Sequence, residues 1–336
     1  MSFRLLILAI FRALVFLVLL GESTRLLAGG DPPARVDPLP TTIDATCRDR
    51  FLKEAVPACK QLRERLRGIE LELMLFDRCP SDDVAPDPTM LATYGILKDG
   101  VTRRLDRIYL ADARGALGFL QSIDVTNSGY SFSVGRRART YSVRQCVPWS
   151  RGEPQPLAGW LDVAEQNLAM GSNIWWLPIE EILANADFEM TGAECNASTS
   201  GDEVVRIVYR FSGKESASES DLPPEAVYWA ELLPARFWIV VRSGVTTSGT
   251  ESLSRGPMQA QVTTRFQEWD GVPLPKEIRL EYFDLRRNVV VRVQEHRFGL
   301  PRGFNGTADE FFLPHYGFSD DPLPCEPGPP CWSGGR

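Results

Sequence analysis

The chain has 336 residues, of which 43% are hydrophobic and 24% are charged, and its formal net charge is −7. This length is enough for one large domain or two ordinary ones, and the composition excludes wholesale disorder. The acidic balance argues against nucleic acid or an anionic membrane as a general electrostatic partner.

Residues 1–30 have the pattern of a secretory signal peptide. Arg4 precedes an apolar stretch that ends at Leu20, and a small-residue run follows at 28–30. A basic start, a short apolar region and a small-residue exit are typical of export signals. An uncleaved anchor is the alternative, although Arg12 interrupts the stretch and a membrane span needs about 20 apolar residues. We expect a periplasmic, cell-envelope or secreted protein, whose net charge falls from −7 to −9 when three arginines and one glutamate leave with the signal.

Proline-rich segments divide the rest of the chain. Residues 31–45 are predicted to be a linker, because the run DPPARVDPLP is incompatible with regular packing. Residues 46–300 are predicted to form the main domain, followed by an aromatic C-terminal segment at 301–318. Residues 319–336 are rich in proline and glycine and are predicted to be disordered.

The main domain is predicted to open with a helix and to continue as strands. Apolar residues, Leu52 among them, recur at helical spacing over 46–67, with Pro57 as a kink or a new start and Gly68 as the stop. Alternation over 69–75 predicts a strand directly after the helix. Short strand-like runs then continue to position 147, separated by turn residues.

A change of period predicts a helical insertion between Leu157 and Ala186. Apolar residues recur there every three or four positions, and Pro178 is placed to open a second helix with Glu180 and Glu181 in its first turn. The insertion carries three tryptophans that are candidates for a cover over a binding surface or for ordinary core packing: Trp160, Trp175 and Trp176.

The clearest pattern runs from Glu203 to Phe298, where strand-length segments alternate apolar and polar residues. Ile207 and Tyr209 share one side of a strand, whereas Arg206 takes the other side. A period of two is typical of half-buried strands, and here it predicts an antiparallel sheet with one solvated face. Together with the opening helix and the helical insertion, it predicts an α+β fold.

The chain contains seven cysteines. In an exported protein we expect an even subset of them to be oxidised. Cys325 and Cys331 would close a small loop, and Cys47 could reach Cys59 or Cys79, although the spacing does not determine the connectivity. Because no CxxC pair indicates a zinc or redox site, we expect structural disulfides.

No motif in the sequence indicates a catalytic reaction. Nucleophile-elbow, metalloprotease, dinucleotide-binding and Walker signatures are all missing from the sequence. His296 falls in phase with polar residues of the last strand and is predicted to be solvated, and His315 is predicted to pack in the aromatic segment. We therefore expect a non-enzymatic protein without a cofactor, with a hydrolase of unknown substrate as an alternative.

Two segments carry a family resemblance. The first is AVYWAELLPARFWIVVRSGV at 226–245, and the second is QVTTRFQEWDGVPLPKEIRLEYF at 261–283, with a turn at Asp270-Gly271. They resemble a strand-turn-strand and a later hairpin of the lipoprotein carriers LolA and LolB and of the periplasmic sensor RseB. The same arrangement is similar to that of many exported bacterial proteins of unknown function. The resemblance spans about residues 47–300, and Leu233 departs from it where the family turn often has an acidic residue.

The resemblance implies an incomplete barrel, a strongly curved antiparallel sheet whose apolar concave face is covered by the N-terminal helix and the helical insertion. It carries over no functional residue. Such a face is expected to bind a lipid, an acyl chain or a lipidated protein by apolar burial. The alternative is a structural or sensory module of the envelope, with a filled core, that binds another protein. The expected lining consists of Trp160, Trp175, Trp176, Ile207, Tyr209, Phe266, Leu280 and Val291.

Overall fold

The computed structural model describes residues 39–78, 88–97, 102–109, 120–137, 140–148, 168–197, 201–212, 226–247, 258–285, 289–318 and 332–334. Two α-helices lie within these residues, α1 (Ala45–Arg65) and α2 (Ile179–Ala184). The strands of the N-terminal half are β1 (Ile69–Arg78), β2 (Met90–Ile96), β3 (Arg103–Tyr109), β4 (Leu120–Thr126), β5 (Tyr130–Arg137), β6 (Thr140–Pro148), β7 (Asn173–Ile174) and β8 (Leu177–Pro178). Those of the C-terminal half are β9 (Phe188–Ala197), β10 (Glu203–Phe211), β11 (Val227–Leu233), β12 (Ile239–Thr247), β13 (Met258–Trp269), β14 (Val272–Asp284), β15 (Val289–Phe298), β16 (Arg302–Gly303) and β17 (Trp332–Gly334).

One 15-stranded antiparallel sheet dominates the fold, and β7 and β8 form a separate two-stranded hairpin. Strands β1 to β6 run as a meander from the middle of the sheet to one edge, where β17 adds to β6. Strands β9 to β15 run from the other edge back to the middle, where β15 pairs with β1. Most neighbours in the sheet are therefore also neighbours in sequence, so local hairpin pairing builds each half.

Helix α1 covers one side of the sheet, which we call the inner face. The Asp44 side chain caps the helix by accepting the N–H groups of Thr46 and Cys47, at 2.8 and 3.1 Å. Gly68 follows the end of the helix with φ 66°, a conformation that favours glycine. The predicted N-terminal helix is thus present, but Leu52 of its expected apolar stripe is 44% exposed. The residues that it buries are Cys47, Phe51, Ala55, Cys59 and Leu62.

Alternate residues of β9 to β15 and of β1 and β2 point to the inner face. Ile207 on β10 lies opposite Ala193 on β9 and Ala230 on β11, and the pattern continues across the sheet. The resulting core includes Ile69, Leu71, Leu73, Ala92, Tyr94, Leu105, Val205, Ile207, Tyr209, Tyr228, Ala230, Val245, Val262, Ile278 and Leu280. The alternation predicted between Glu203 and Phe298 is confirmed by this antiparallel sheet.

On the opposite side, the outer face of β9 to β15 carries a lattice of alternating charges. Arg206 contacts Glu194 at 3.1 Å and Glu231 at 2.8 Å, and Arg242 contacts Glu231 at 3.4 Å. Cross-strand pairs of opposite charge stabilise neighbouring strands. The alternating arginine and glutamate residues of these strands therefore pair across the sheet, with Glu231 between two arginines.

A second core lies on the outer face of β4 to β6. Leu105, which faces α1, lies opposite Asp124 on β4, so the buried Ile123 and Val125 point to the other side. The C-terminal segment covers this side, and the Leu313 N–H donates to the Tyr130 hydroxyl at 3.1 Å. A twist of about 20–25° per strand turns the two ends of a large sheet in different directions, so covers on opposite faces fit one continuous sheet. The members of this second core are Ile123, Val125, Tyr130, Phe132, Val134, Val143, Cys146, Phe311, Leu313 and Tyr316.

The inner face of β3 to β5 is buried and polar. Arg107 donates to Asp124 at 2.6 Å and to Ser122 at 3.2 Å, and the Ser133 hydroxyl donates to Asp124 at 2.6 Å. A buried ion pair needs such additional hydrogen bonds to offset the loss of hydration. Apolar packing therefore ends on this face beyond β3.

The predicted fold class, an α+β incomplete barrel covered by a helical insertion, is wrong. One large antiparallel sheet with two cores on opposite faces takes its place. From residue 168 on, the expected insertion consists of a 3-10 turn at Ala169–Ser172, the β7–β8 hairpin and the six-residue α2. The apolar spacing misled the prediction because Trp175 and Trp176 occupy a tight turn rather than a helix. Positions 157–167 lie outside the described residues.

Cys47 forms a disulfide with neither of the two partners that the sequence suggested. Cys47 is a disulfide cysteine, as expected, but its partner is Cys195 on β9, with a Cα–Cα distance of 5.9 Å. Cys59 lies 12 residues along the same helix, about 18 Å away at 1.5 Å per residue, which is too far for a bond. Cys79, Cys325 and Cys331 lie outside the described residues.

The terminal segments meet both edges of the sheet. Ile43, in the predicted linker, forms a parallel bridge with Ala193 on β9. Within the tail that is predicted to be disordered, Trp332–Gly334 forms β17 on β6. The signal peptide expected at 1–30 lies outside the described residues and stays a prediction. None of the described helices is long and apolar enough to cross a membrane.

Candidate functional site

The β7–β8 hairpin, Asn173 to Pro178, places two tryptophans over the inner face; we call it the tryptophan hairpin. Ile174 pairs with Leu177, so Trp175 and Trp176 form a two-residue loop, with φ 49° and 69°. Such loops need positive φ at both positions and usually contain Asn-Gly. A residue other than glycine costs about 1–2 kcal/mol in this conformation. Strain of this kind persists only where surrounding contacts hold it, and it is concentrated at binding sites and switches.

The hairpin lies directly against the sheet. The backbone N–H of Trp175 donates to the Ser243 hydroxyl on β12 at 3.4 Å. In the preceding 3-10 turn, a Cβ at Gly171 would lie 3.2 Å from the Phe266 ring and 3.3 Å from Ile239. The turn and the hairpin therefore cover the centre of the inner face, and both tryptophans remain half-buried.

A second pair of aromatic residues has the same left-handed backbone. Phe237 and Trp238, between β11 and β12, have φ 59° and 57°. Trp238 is buried, with its ring centroid 5.9 Å from that of Phe51 on α1, and the Arg65 guanidinium lies 5.1 Å from the Phe237 ring centre. Packing against α1 accounts for the strain in this pair.

Beside the hairpin, β15 presents polar residues to the inner face: Arg292, Gln294 and His296, which we call the β15 polar stripe. Their partners on β14 are Tyr282, Leu280 and Ile278, all core residues. The His296 ring centroid lies 6.5 Å from that of Trp176. The stripe therefore lies within the apolar surface that the tryptophan hairpin covers.

Arg292 is held by Asp77 on β1. Its Nε donates to one carboxylate oxygen at 2.9 Å, and its Nη2 donates to the other. This two-pronged geometry gives a strong charge-assisted contact. The two charges compensate each other within the site.

His296 is buried, and its Nδ1 has no hydrogen-bond partner among the described residues. Burial lowers the pKa of His296 to about 4, against an opposing influence of Asp77, so the ring is neutral at neutral pH. Burial also raises the pKa of Tyr282 to about 12. Two further buried oxygens of described residues lack partners, Asn173 Oδ1 at the base of the hairpin and the Tyr209 hydroxyl. Buried polar atoms of this kind are rare and call for an explanation.

The predicted lining residues come together on the inner face, with one exception. Ile207, Tyr209 and Leu280 are buried in the first core, and Trp175, Trp176, Phe266 and Val291 are half-buried against it. Trp160 lies outside the described residues. Their role in binding a ligand stays a prediction.

Sequence reasoning placed His296 wrongly and missed the residues around it. His296 was predicted to be solvated, but only 9% of it is exposed, on the inner face. Arg292 and Gln294, which are in phase with His296, are polar, so alternation assigned all three to the solvated side. Pairing with core residues of β14 places them on the inner face instead. The buried Phe298, two positions after His296, was the available signal.

His315, by contrast, is exposed in the C-terminal segment, with its Nδ1 3.3 Å from Asp309. Among the described residues, no group of three or more histidines, cysteines or carboxylates is placed to hold a metal ion. The β15 polar stripe offers hydrogen-bonding groups within an apolar surface.

Comparisons with known proteins place the chain in no family. No family model matches the sequence, and no curated protein matches it. Among solved structures, it is similar to a DUF1329 family protein from Desulfovibrio piger, at 10% identity and a TM-score of 0.34, covering 79% of this chain and 98% of that one. It is also similar to a porin-like protein from Bacteroides uniformis, at 7% identity and a TM-score of 0.23, covering 68% of this chain and 96% of that one. At these TM-scores neither likeness carries an argument about the chain, and the resemblance to LolA stays a prediction.

Proposed function

We propose that this chain is an exported protein that binds a lipid, an acyl chain or a lipidated protein against the inner face, beneath the tryptophan hairpin. The observation that carries the proposal is the tight turn formed by Trp175 and Trp176. Asn-Gly would form the same turn without strain, so the two indoles are retained at a cost to stability. Large half-buried aromatic rings above an apolar sheet are suited to cover an apolar ligand.

Binding would depend on apolar burial rather than charge. Each Å² of apolar surface removed from water contributes about 25 cal/mol. An acyl chain placed among Leu280, Ile278 and Phe266 gains this contribution along its whole length. The acidic net charge of the chain gives no comparable attraction for anionic membranes.

Entry of a ligand requires the hairpin to move. Ile207 and Tyr209 have no exposed surface, so the inner face is closed in this structure. The hairpin has two-residue strands, and an isolated hairpin of this size is only marginally stable. Among the described elements above the inner face, the tryptophan hairpin therefore opens with the least loss of structure.

The second candidate is a structural or sensory envelope module that binds another protein. It is favoured by the complete burial of Ile207 and Tyr209, which an ordinary filled core also requires. The two candidates differ in one respect, since only the first gives the tryptophan hairpin contact with a ligand.

The test uses quenching of tryptophan fluorescence by a brominated monoacylglycerol in the full mature protein. The wild type should be quenched saturably, because Trp175 and Trp176 would contact the brominated chain. The double variant Trp175→Asn with Trp176→Gly keeps the backbone turn and removes both indoles. We expect it to remain folded and to lose the saturable quenching.

The matched control is Phe237→Asn, which relieves a left-handed residue at the other aromatic pair without changing the hairpin. This variant should retain quenching. Absence of saturable quenching in the wild type would reject lipid binding and leave the protein-binding module as the working account.

A further inference from the structure

The tryptophan hairpin and the β15 polar stripe share one chemical feature, buried polar atoms without partners among the described residues. His296 Nδ1 is one, in a side chain that is 9% exposed, and Asn173 Oδ1 is the other, in a residue that is 2% exposed. His296 lies beside Trp176, and Asn173 begins the same hairpin. Leaving a buried polar atom unpaired is costly, so two such atoms at one covering element point to a polar group that they would hold.

The charges around these atoms indicate which polar group fits. Asp77 and Arg292 compensate each other through a two-pronged contact, and His296 is neutral at neutral pH. A carboxylate or phosphate brought to this place would approach the Asp77 carboxylate and an arginine that is already engaged. An anion buried without a compensating charge is strongly disfavoured.

The hydrogen-bonding roles of Asn173 Oδ1 and His296 Nδ1 further restrict which polar group can bind. The Asn173 oxygen only accepts, whereas a neutral imidazole nitrogen donates or accepts according to its tautomer. A hydroxyl group both donates and accepts, so it satisfies either atom. An ionised carboxylate only accepts, and it leaves Asn173 Oδ1 unpaired.

We propose that the β15 polar stripe and Asn173 hold the uncharged, hydroxyl-bearing head of the lipid, as in a monoacylglycerol, while its acyl chain lies along the apolar inner face. This assignment rests on the proposed function and names its ligand class. His296 gives the head its hydrogen bond, and Trp176 covers the junction between head and chain.

The test compares a brominated monoacylglycerol with a brominated fatty acid of the same chain length, at neutral pH, by quenching of tryptophan fluorescence. The wild-type protein should bind the monoacylglycerol at least about tenfold more tightly, which is the effect expected of a head group whose hydrogen bonds are made rather than lost. His296→Phe keeps a ring of similar size and removes the polar atom. It should bring the two affinities to within about threefold of each other.

The control applies the same change to the other histidine. His315→Phe alters an exposed ring in the C-terminal segment and should keep the wild-type preference. Circular dichroism of each variant checks that it is folded. Should His296→Phe fail to fold, His296→Asn keeps a hydrogen-bonding group in its place and should retain part of the preference.

The outcomes distinguish failure of this assignment from failure of the proposed function. Equal binding of both lipids by the wild type, or an unchanged preference in a folded His296→Phe variant, would overturn the assignment and leave lipid binding intact. Binding of neither lipid would overturn the proposed function, and this assignment with it.

Discussion

His296 on β15 is a polar residue that is buried on the inner face of the sheet. It lies among core residues of β1 and β14, and its ring is neutral because burial disfavours the charged form. The charged group that acts on its pKa is Asp77 on β1, which is paired with Arg292 on β15.

This environment predicts a pH dependence of stability. The pKa of His296 falls from its ordinary 6.5 in the unfolded chain to about 4 in the folded one, so the unfolded state binds more protons between these values. The stability that the neutral ring contributes is fully present above pH 6.5 and is lost as the pH falls toward 4. The loss amounts to about 3 kcal/mol.

The measurement is the free energy of unfolding in urea at pH 7.5 and near pH 4. His296→Phe removes the titrating group and should lose less stability over this range than the wild type by about 3 kcal/mol. An equal loss of stability in the two proteins between these pH values would show that His296 is solvated or already protonated in the folded state.

Gly244 on β12 is required by close packing on the outer face. A Cβ at this position would lie 2.7 Å from the Ala260 carbonyl oxygen and 2.7 Å from the Trp229 ring. We expect Gly244→Ala to lower the free energy of unfolding by about 1–3 kcal/mol, because a buried indole and a strand must both shift. Gly303→Ala is the control, since its Cβ would meet nothing within 4 Å. Comparable midpoints of thermal unfolding for both variants would contradict the packing described for Trp229.

At the scale of elements, helix α1 is tied to the sheet by the disulfide between Cys47 and Cys195. The bond joins its first turn to the strand at the edge of the sheet and closes a loop with a sequence separation of 148. Long loops gain most from closure, because the crosslink restricts the unfolded chain.

Replacing both cysteines by serine should therefore lower the free energy of unfolding by about 2–5 kcal/mol. A peptide map made under non-reducing conditions checks the pairing and should link the peptides that contain Cys47 and Cys195. Linkage of Cys47 to any other cysteine would disprove the described attachment of α1.

The sequence predicted elements best where a single periodicity was sufficient. Alternation identified strands such as β10, β13 and β14, because each places apolar residues on one face and mostly polar residues on the other. The helical insertion failed because a tight turn of two tryptophans interrupts the apolar spacing. The candidate site was predicted only in its apolar half, since alternation assigns polar residues such as His296 to the solvated side. Their place on the inner face depends on pairing with β14.

At the scale of the whole molecule, one sheet has two cores on opposite faces. The first lies beneath α1, and the second lies between β4 to β6 and the C-terminal segment. Phe311 is fully buried in the second core, and Phe51 is fully buried in the first core. Because the two cores are separate clusters of buried side chains, each half of the sheet should lose protection separately.

Phe311→Ala should destabilise the second core by about 3–5 kcal/mol. Hydrogen exchange read by mass spectrometry should show faster exchange in β4 to β6, while β10 to β14 keep most of their protection. Phe51→Ala is the matched variant and should give the reverse pattern. Uniform loss of protection in both variants would mean that the sheet unfolds as one unit.

The central claim is that the inner face holds a lipid beneath the tryptophan hairpin. Native mass spectrometry of the full protein, purified without detergent from a host that exports it, tests this claim most directly when combined with organic extraction of bound material. The account predicts a stoichiometric mass of lipid size with an uncharged, hydroxyl-bearing head, and its loss from the Trp175→Asn, Trp176→Gly variant. A protein that carries no added mass, even after incubation with monoacylglycerol, would contradict it.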